Sequence, residues 1–388
     1  MSSNEASRRA HPQPRSAVRR ISPYVPGRPI EHVEAEFGVR AVKLASNENP
    51  YGPSPLALEA ARAALLDVHR YPDGSGVRLR EEIASRSGVS PEEVILGSGS
   101  SELIDLVIRA YADPGEEVVV PRGIFRMFAV AAARAGATLV EVPTLADLRP
   151  DLPAILERIG PATRVVAVAN PNNPTGAWVT GAELDPFLEA LPPHVVAVVD
   201  EAYYEFAVGL APGYGTAIPH VQANRSVVVL RTFSKMAGLA GLRIGYGFGP
   251  AEILASLHRI REPFNTTSVG QAAAFAALSD HEHVDRVREL VWKEREFLFA
   301  ELTRRDFVKA WPSIGNFLLV DVPVPFAPLE TEFARRGVIV RPMGGWGFPL
   351  SFRVSVGARE ENERFLFALD AIAGAGLLEP AAGKAPVP

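Results

Sequence analysis

Residues 231–243 read Arg-Thr-Phe-Ser-Lys-Met-Ala-Gly-Leu-Ala-Gly-Leu-Arg and carry the first candidate for chemistry, Lys235. The only lysines are Lys43, Lys235, Lys293, Lys309 and Lys384; every other cationic side chain is an arginine. Arginine keeps its proton, whereas lysine can attack a carbonyl and form an imine once its surroundings lower its pKa. Lys235 follows two hydroxyl residues, Thr232 and Ser234, and Arg243 lies further along the same segment. A second candidate is Asp200, which closes the apolar run 195–199 and opens Asp200-Glu201-Ala202-Tyr203-Tyr204. An acid in that position is stripped of water unless a cation meets it, and either Mg²⁺ or a protonated heterocycle would serve. A third is Gly97-Ser98-Gly99-Ser100-Ser101-Glu102, where backbone N–H groups at a helix start could cradle an anion. The stretch Asn170-Pro171-Asn172-Asn173-Pro174-Thr175-Gly176 reads on its own as a turn. Gly245-x-Gly247-x-Gly249 falls inside a strand pattern rather than at a strand-to-helix turn, which argues against dinucleotide binding. His281 and His283 lack a third ligand nearby, so they are expected to be solvated, and no metal is expected.

The elements that must position these groups follow from periodicity. Short β-branched runs recur at 94–96, 118–120, 138–142, 165–168, 195–199, 227–230 and 244–248. Several are apolar without alternation, the signature of strands buried on both faces. Helical spacing predicts helices over 101–112 and 124–135, the second ended by Gly136, and Thr180-x-x-Glu183 is a capping box opening a helix over 182–191. This alternation predicts an α/β fold with a mostly parallel, seven-stranded sheet covered by helices. Beyond about residue 275 the texture changes to a long amphipathic helix over 283–305, strands near 317–322, 338–340 and 352–356, and a last helix over 360–373, a smaller α+β domain. The expected organisation is a disordered tail at 1–20, an extended Pro-rich arm at 21–53, a large domain at 54–275, a small C-terminal domain at 276–375 and a second tail at 376–388.

The composition bounds the function. The 388 residues suit roughly two domains, and 47% hydrophobic residues are ample for a large core. A formal charge of −5 gives no reason to expect nucleic acid or an anionic membrane as partner. The absence of cysteine rules out disulfides, thiolate metal sites and cysteine nucleophiles. No apolar run approaches the roughly 18 residues of a spanning helix. The first twenty residues lack the apolar core of a secretory signal, so a cytoplasmic protein is expected.

Taken in order, Asn-Pro-Thr-Gly at 173–176, Asp-x-Ala-Tyr at 200–203, and Thr-x-Ser-Lys at 232–235 with Arg243 eight residues on resemble the fold-type-I pyridoxal-phosphate enzymes, specifically their aminotransferases. Over about residues 24–370 the resemblance is closest to histidinol-phosphate aminotransferases. Stretches 23–27, 46–52, 70–76, 263–265 and 341–345 support it. The resemblance implies that Lys235 holds the aldehyde of pyridoxal 5'-phosphate as an imine and, once displaced, moves the substrate proton. It implies that Asp200 keeps the pyridine nitrogen protonated, and that Tyr203 and Asn173 bond the ring's 3′ oxygen. Ser100, Ser101, Thr232, Ser234 and Arg243 would hold the phosphate, and Phe125 would stack on the ring. Tyr71 would reach the phosphate of a neighbouring subunit, which implies a homodimer with shared active sites.

For substrate, the resemblance assigns Arg353 to glutamate's α-carboxylate or to the phosphate of histidinol phosphate, with Arg341, Tyr24 and Asn49 as further contacts. A guanidinium in an apolar strand needs an anion in any case, and the planar fork suits carboxylate or phosphate. The implied activity is ping-pong transfer of an amino group between histidinol phosphate and 2-oxoglutarate/glutamate in histidine biosynthesis. The sequence departs from the family in having Trp346 where tyrosine is usual, and in Ile124 and Arg126 beside the expected ring position. Trp346, Phe125 and Phe128 keep an aromatic amino-acid aminotransferase open as an alternative, and a threonine-phosphate-type decarboxylase shares the same scaffold. A transcriptional sensor would need a helix-turn-helix, for which the N-terminal tail is too short.

Overall fold

In the computed structural model, the described residues are 13–19, 21 and 27–379. Seven strands form the central sheet in the order Val94–Gly97, Gly245–Phe248, Val227–Thr232, Val196–Asp200, Thr163–Ala169, Glu117–Pro121, Thr138–Val142. Gly245–Phe248 runs antiparallel to both its neighbours; the other pairings are parallel. The continuous valine runs are explained by burial on both faces. Val196–Asp200 and Val227–Thr232 are buried at every position, and one apolar cluster lies on each side of the sheet. Parallel strands align their carboxyl ends, so Ala169, Asp200 and Thr232 finish along one edge, where open α/β sheets bind ligands.

A second sheet, antiparallel, has the order Arg341–Pro342, Ser351–Ser355, Phe317–Asp321, Lys309–Ala310. The helices His281–Thr303, Ala327–Arg335 and Arg359–Gly374 accompany it, and Phe326, Phe333, Phe352 and Phe365 make an aromatic core between them and the sheet. The chain before the large sheet is tied to this region, because Val42–Lys43 pairs in parallel with Val338–Ile339.

Local differences from the expected elements have physical causes. The segment 21–53 is not extended throughout: Ile30–Phe37 is a helix closed by Gly38 in the left-handed conformation, with Val33 buried. Residues 22–26, including Tyr24, lie outside the described residues, as do most of the expected tails; the described part at 13–19 holds a short helix, Ser16–Arg19, beside which Arg15 donates to Arg134 O. The helix expected from 124 begins at Met127, because Gly123 has φ +73° and Phe348 packs against it. The Thr180 capping box is present and opens Gly181–Glu189. His283 is buried rather than solvated, facing Gly52 O at 3.3 Å, while His281 meets Arg86. Among the described residues no helix is long and apolar enough to cross a membrane.

The strand carrying Asp200 is braced by a buried ion pair that sequence reading passes over. Glu201 is fully buried and accepts from Arg231 Nη2 at 2.7 Å and Nε at 3.0 Å, from Thr216 Oγ1 at 2.9 Å and from the Ala217 N–H at 2.8 Å. Arg231 stacks its guanidinium 3.5 Å from the Tyr204 ring centre. Removing one partner strands the other's charge in the core. Arg231→Met is therefore expected to cost about 3–5 kcal/mol in chemical denaturation, and adding Glu201→Met to it should recover part of that loss. Equal stability of Arg231→Met and the parent would show that the pair is not needed to hold this strand end.

Candidate active site

The carboxyl edge of the large sheet and the Arg341/Arg353 strands of the small one enclose a cavity. Lys235, Asp200, Tyr203, Asn173, Phe125, Ser100, Ser101, Thr232, Ser234, Arg243, Arg341 and Arg353 all line it. Stretches separated by up to about 250 residues are thus brought together.

One end of the cavity is built for an anion. The helix Ser100–Tyr111 begins there, with Gly99, Ser100 and Ser101 lining the cavity, and a helix start leaves its first N–H groups without intrahelical partners. Gly99 has φ +76° and ψ 168°, a conformation essentially restricted to glycine. Gly245 lets its strand approach the same turn: a Cβ there would sit 2.7 Å from Ser100 N. This close approach, not a dinucleotide loop, accounts for the first glycine of the 245–249 pattern. Arg243 has φ +51° and donates to Ser98 O, Ala240 O and Ser234 Oγ, at 3.4, 3.0 and 3.4 Å. Thr232 Oγ1 accepts the Ser234 N–H at 3.1 Å. A guanidinium, hydroxyls and helix-end amides therefore converge on one spot.

The middle of the cavity holds the acid and the amine. Asp200 is 4% exposed and accepts the Ala202 N–H at 3.1 Å. Burial pushes its carboxyl up to about 7, the Ala202 bond opposing this and the Glu201 charge adding to it. Lys235 Nζ donates to Ser46 O at 2.9 Å. Burial first, then the Arg353 and Arg243 charges, lowers its pKa to about 7. A neutral amine is therefore well populated near neutral pH, as nucleophilic attack requires. Tyr203 Oη accepts from Asn47 Nδ2 at 2.9 Å and from Asn173 Nδ2 at 3.1 Å.

At the far end, Arg341 and Arg353 are register partners on adjacent antiparallel strands. Arg353 donates to Ala45 O at 2.7 Å and to Asn173 Oδ1. The Arg341 guanidinium stands 5.2 Å from the Trp346 ring centre. Like charges placed side by side repel unless an anion comes between them.

Asn49 and Phe128 are placed outside the cavity. Asn49 does not line the cavity: its Nδ2 donates to Met236 O (2.8 Å) and Gly52 O (3.2 Å), so it supports the chain behind Lys235. Tyr71 stands on the surface, 82% exposed. Tyr24 falls outside the described residues. Phe128 is fully buried in the core rather than beside the cavity. Sequence reading missed Asn47, which has φ +53°, is 1% exposed, and exchanges hydrogen bonds with Ser355. It missed also that Arg126 donates to Gly345 O at 2.7 Å, joining the Phe125 segment to the loop of Trp346.

Comparison with known proteins adds an independent line. The sequence profile described as "Aminotransferase class I and II" matches residues 39–369. A histidinol-phosphate aminotransferase of Anaeromyxobacter sp. (strain Fw109-5) is 49% identical over 360 residues, covering 92% of this chain and 98% of that protein. One from Moorella thermoacetica is 42% identical, covering 92% of each. Among solved structures, histidinol-phosphate aminotransferase from Sinorhizobium meliloti in complex with pyridoxal-5'-phosphate superposes with a TM-score of 0.86 at 28% identity, over 95% of this chain and 100% of that one.

The lowered Lys235 pKa gives a direct expectation. The neutral, reactive amine gains population as pH rises through the folded pKa. Trace acetylation of the cofactor-free chain, read at Lys235 by mass spectrometry, should therefore rise with a midpoint near pH 7. Arg353→Gln should move that midpoint upward by removing a cationic neighbour. A midpoint in the ordinary lysine range, about 10.4, would refute this account of the site.

Proposed function

The chain belongs to the class I and II aminotransferases, a pyridoxal-phosphate-dependent family, and from that premise we propose that it moves an amino group between histidinol phosphate and 2-oxoglutarate/glutamate, in histidine biosynthesis. The observation that carries the substrate is the pairing of Arg341 with Arg353 at one register position on the cavity wall. A single guanidinium suffices for the carboxylate of an ordinary amino donor; two adjacent ones suit a phosphate dianion. The relatives' names point the same way.

The donor set fits pyridoxal phosphate at the other end. A phosphate suits the glycine-walled cradle of Ser100, Ser101, Thr232, Ser234 and Arg243. A protonated ring nitrogen would meet the need of buried Asp200 for a cation, and the aldehyde would meet the amine of Lys235. Bound there, the cofactor supplies an electron sink for charge developing at the substrate's Cα. A cation beside Asp200 would favour its carboxylate form, against the burial that pushes its pKa up to about 7. Asn173 and Tyr203 would bond the ring oxygen, and Phe125 would cover one ring face. Lys235, once displaced, would act on the substrate's Cα proton as general base and then as general acid. Arg353 holds glutamate's α-carboxylate in one half of the ping-pong cycle and shares the phosphate with Arg341 in the other.

Two copies of the chain would complete the site. Leu56, Leu58, Leu65, Leu66, Val68 and Val77 are exposed on the flank that carries Tyr71, an apolar surface of the kind that partners cover. Tyr71 would cross that interface to the phosphate in the partner subunit. Residues 54–275 then form the cofactor-holding body and 276–375 the smaller domain.

The test is a single-turnover assay. Holoenzyme mixed with histidinol phosphate and no oxo acid should yield pyridoxamine phosphate, with a larger kcat/KM than phenylalanine or tyrosine gives. Arg341→Gln should raise KM for histidinol phosphate about 10- to 100-fold, the loss of a charged hydrogen bond, while leaving that for phenylalanine nearly unchanged. Faster turnover of phenylalanine by the parent enzyme would favour the aromatic alternative suggested by Phe125 and Trp346, which line the cavity. Release of CO₂ from O-phosphothreonine without 2-oxoglutarate would favour a decarboxylase.

A further inference from the structure

Tyr71 and Phe264 lie ring on ring at the surface, centroids 4.6 Å apart and planes 22° apart, with 82% and 44% of their surfaces exposed. Exposed loops seldom hold two aromatic rings in register, so what fixes Phe264 is informative. Its backbone has φ +57°, a region that bulky residues rarely enter and keep only when neighbours enforce it. The enforcing contacts come from both sides. Arg261 Nη2 donates to Gly74 O at 2.9 Å, and Arg261 Nη1 donates to Asn265 Oδ1. Asn265 Nδ2 donates to Leu96 O at 3.2 Å and to Glu102 Oε2 at 2.7 Å, and the same Glu102 oxygen accepts the Ser98 N–H at 2.6 Å. The Phe264 ring also closes over Gly74, where a Cβ would be 3.2 Å away. The loop that presents Phe264 is thus bolted to the anion-binding turn of its own chain and to the turn that follows Tyr71.

We propose that Phe264 is a positioning residue that holds the Tyr71 ring in place for the cofactor phosphate of the partner subunit, an inference that rests on the shared-site reading above. A phenol on an exposed loop samples many orientations, and a stacked ring beneath it removes that freedom before the phosphate arrives, which strengthens binding without a new contact. The lesion should therefore act across the dimer. Phe264 of one chain serves the cofactor held by the other.

Hybrid dimers test this. One chain keeps Lys235, the other carries Lys235→Ala, and a second substitution is added to one chain or the other. The readout is the pyridoxal phosphate concentration giving half-maximal borohydride-stable labelling of the Lys235 chain. Phe264→Ala in the Lys235→Ala chain should raise it roughly three- to tenfold, the worth of an aromatic pair. The same change in the Lys235 chain should leave it unaltered, and Phe264→Tyr, which keeps the ring, should restore the parental value. Tyr71→Phe in the Lys235→Ala chain is the control for the shared site. If that control has no effect, the shared-site reading fails and this inference with it. If the control weakens labelling but Phe264→Ala does not, or acts equally from either chain, the shared site stands and the role of Phe264 is overturned.

Discussion

Asp200 ends a strand that is buried at every position, and burial drives both its carboxyl and the amine of Lys235 toward neutrality near pH 7. Both groups are buried, where an isolated charge is costly and each can shed its charge to avoid that cost. A ligand carrying a cationic ring nitrogen and an electrophilic carbon would relieve both at once. The rest of the architecture can be read as support for this arrangement. The parallel sheet delivers Asp200 and Thr232 to one edge, and the Glu201–Arg231 pair fixes the strand end beside them.

The two ends of the cavity divide the work by charge geometry. At the helix start, backbone amides, hydroxyls and Arg243 form a rigid cradle whose glycines exclude side chains. At the other end the cations sit on long side chains from the antiparallel sheet, with Asn173 linking Arg353 to Tyr203. Arg353 is thereby wired to the residues around Lys235. An anion seated there would screen the Arg353 charge that helps lower the Lys235 pKa, coupling anion binding to the state of the amine.

Much of this was legible in the sequence because the deciding signals were local. Unbroken valine runs specified buried parallel strands, the Thr180 box specified a helix start, and the order of the motifs around Asn173, Asp200 and Lys235 specified the family. What escaped depends on contacts distant in the chain. Asn47 enters the cavity because Ser355, 308 positions away, holds it, and no periodicity encodes that. Asn49, expected as a substrate contact, turns instead toward Met236. The delayed helix start at Met127 reflects Phe348 lying over Gly123, and His283 is buried by the fold rather than by its own neighbours in sequence. The role of Glu201 depends on Arg231, 30 positions away, which no local signal encodes.

The central claim is that one amine among the chain's few lysines carries the cofactor. Reconstitution with pyridoxal phosphate, borohydride reduction and peptide mapping test it most directly. The account predicts one reduced pyridoxyl group per chain, on Lys235. A chain left unlabelled, or a label on Lys43, Lys293 or Lys309 instead, would contradict it.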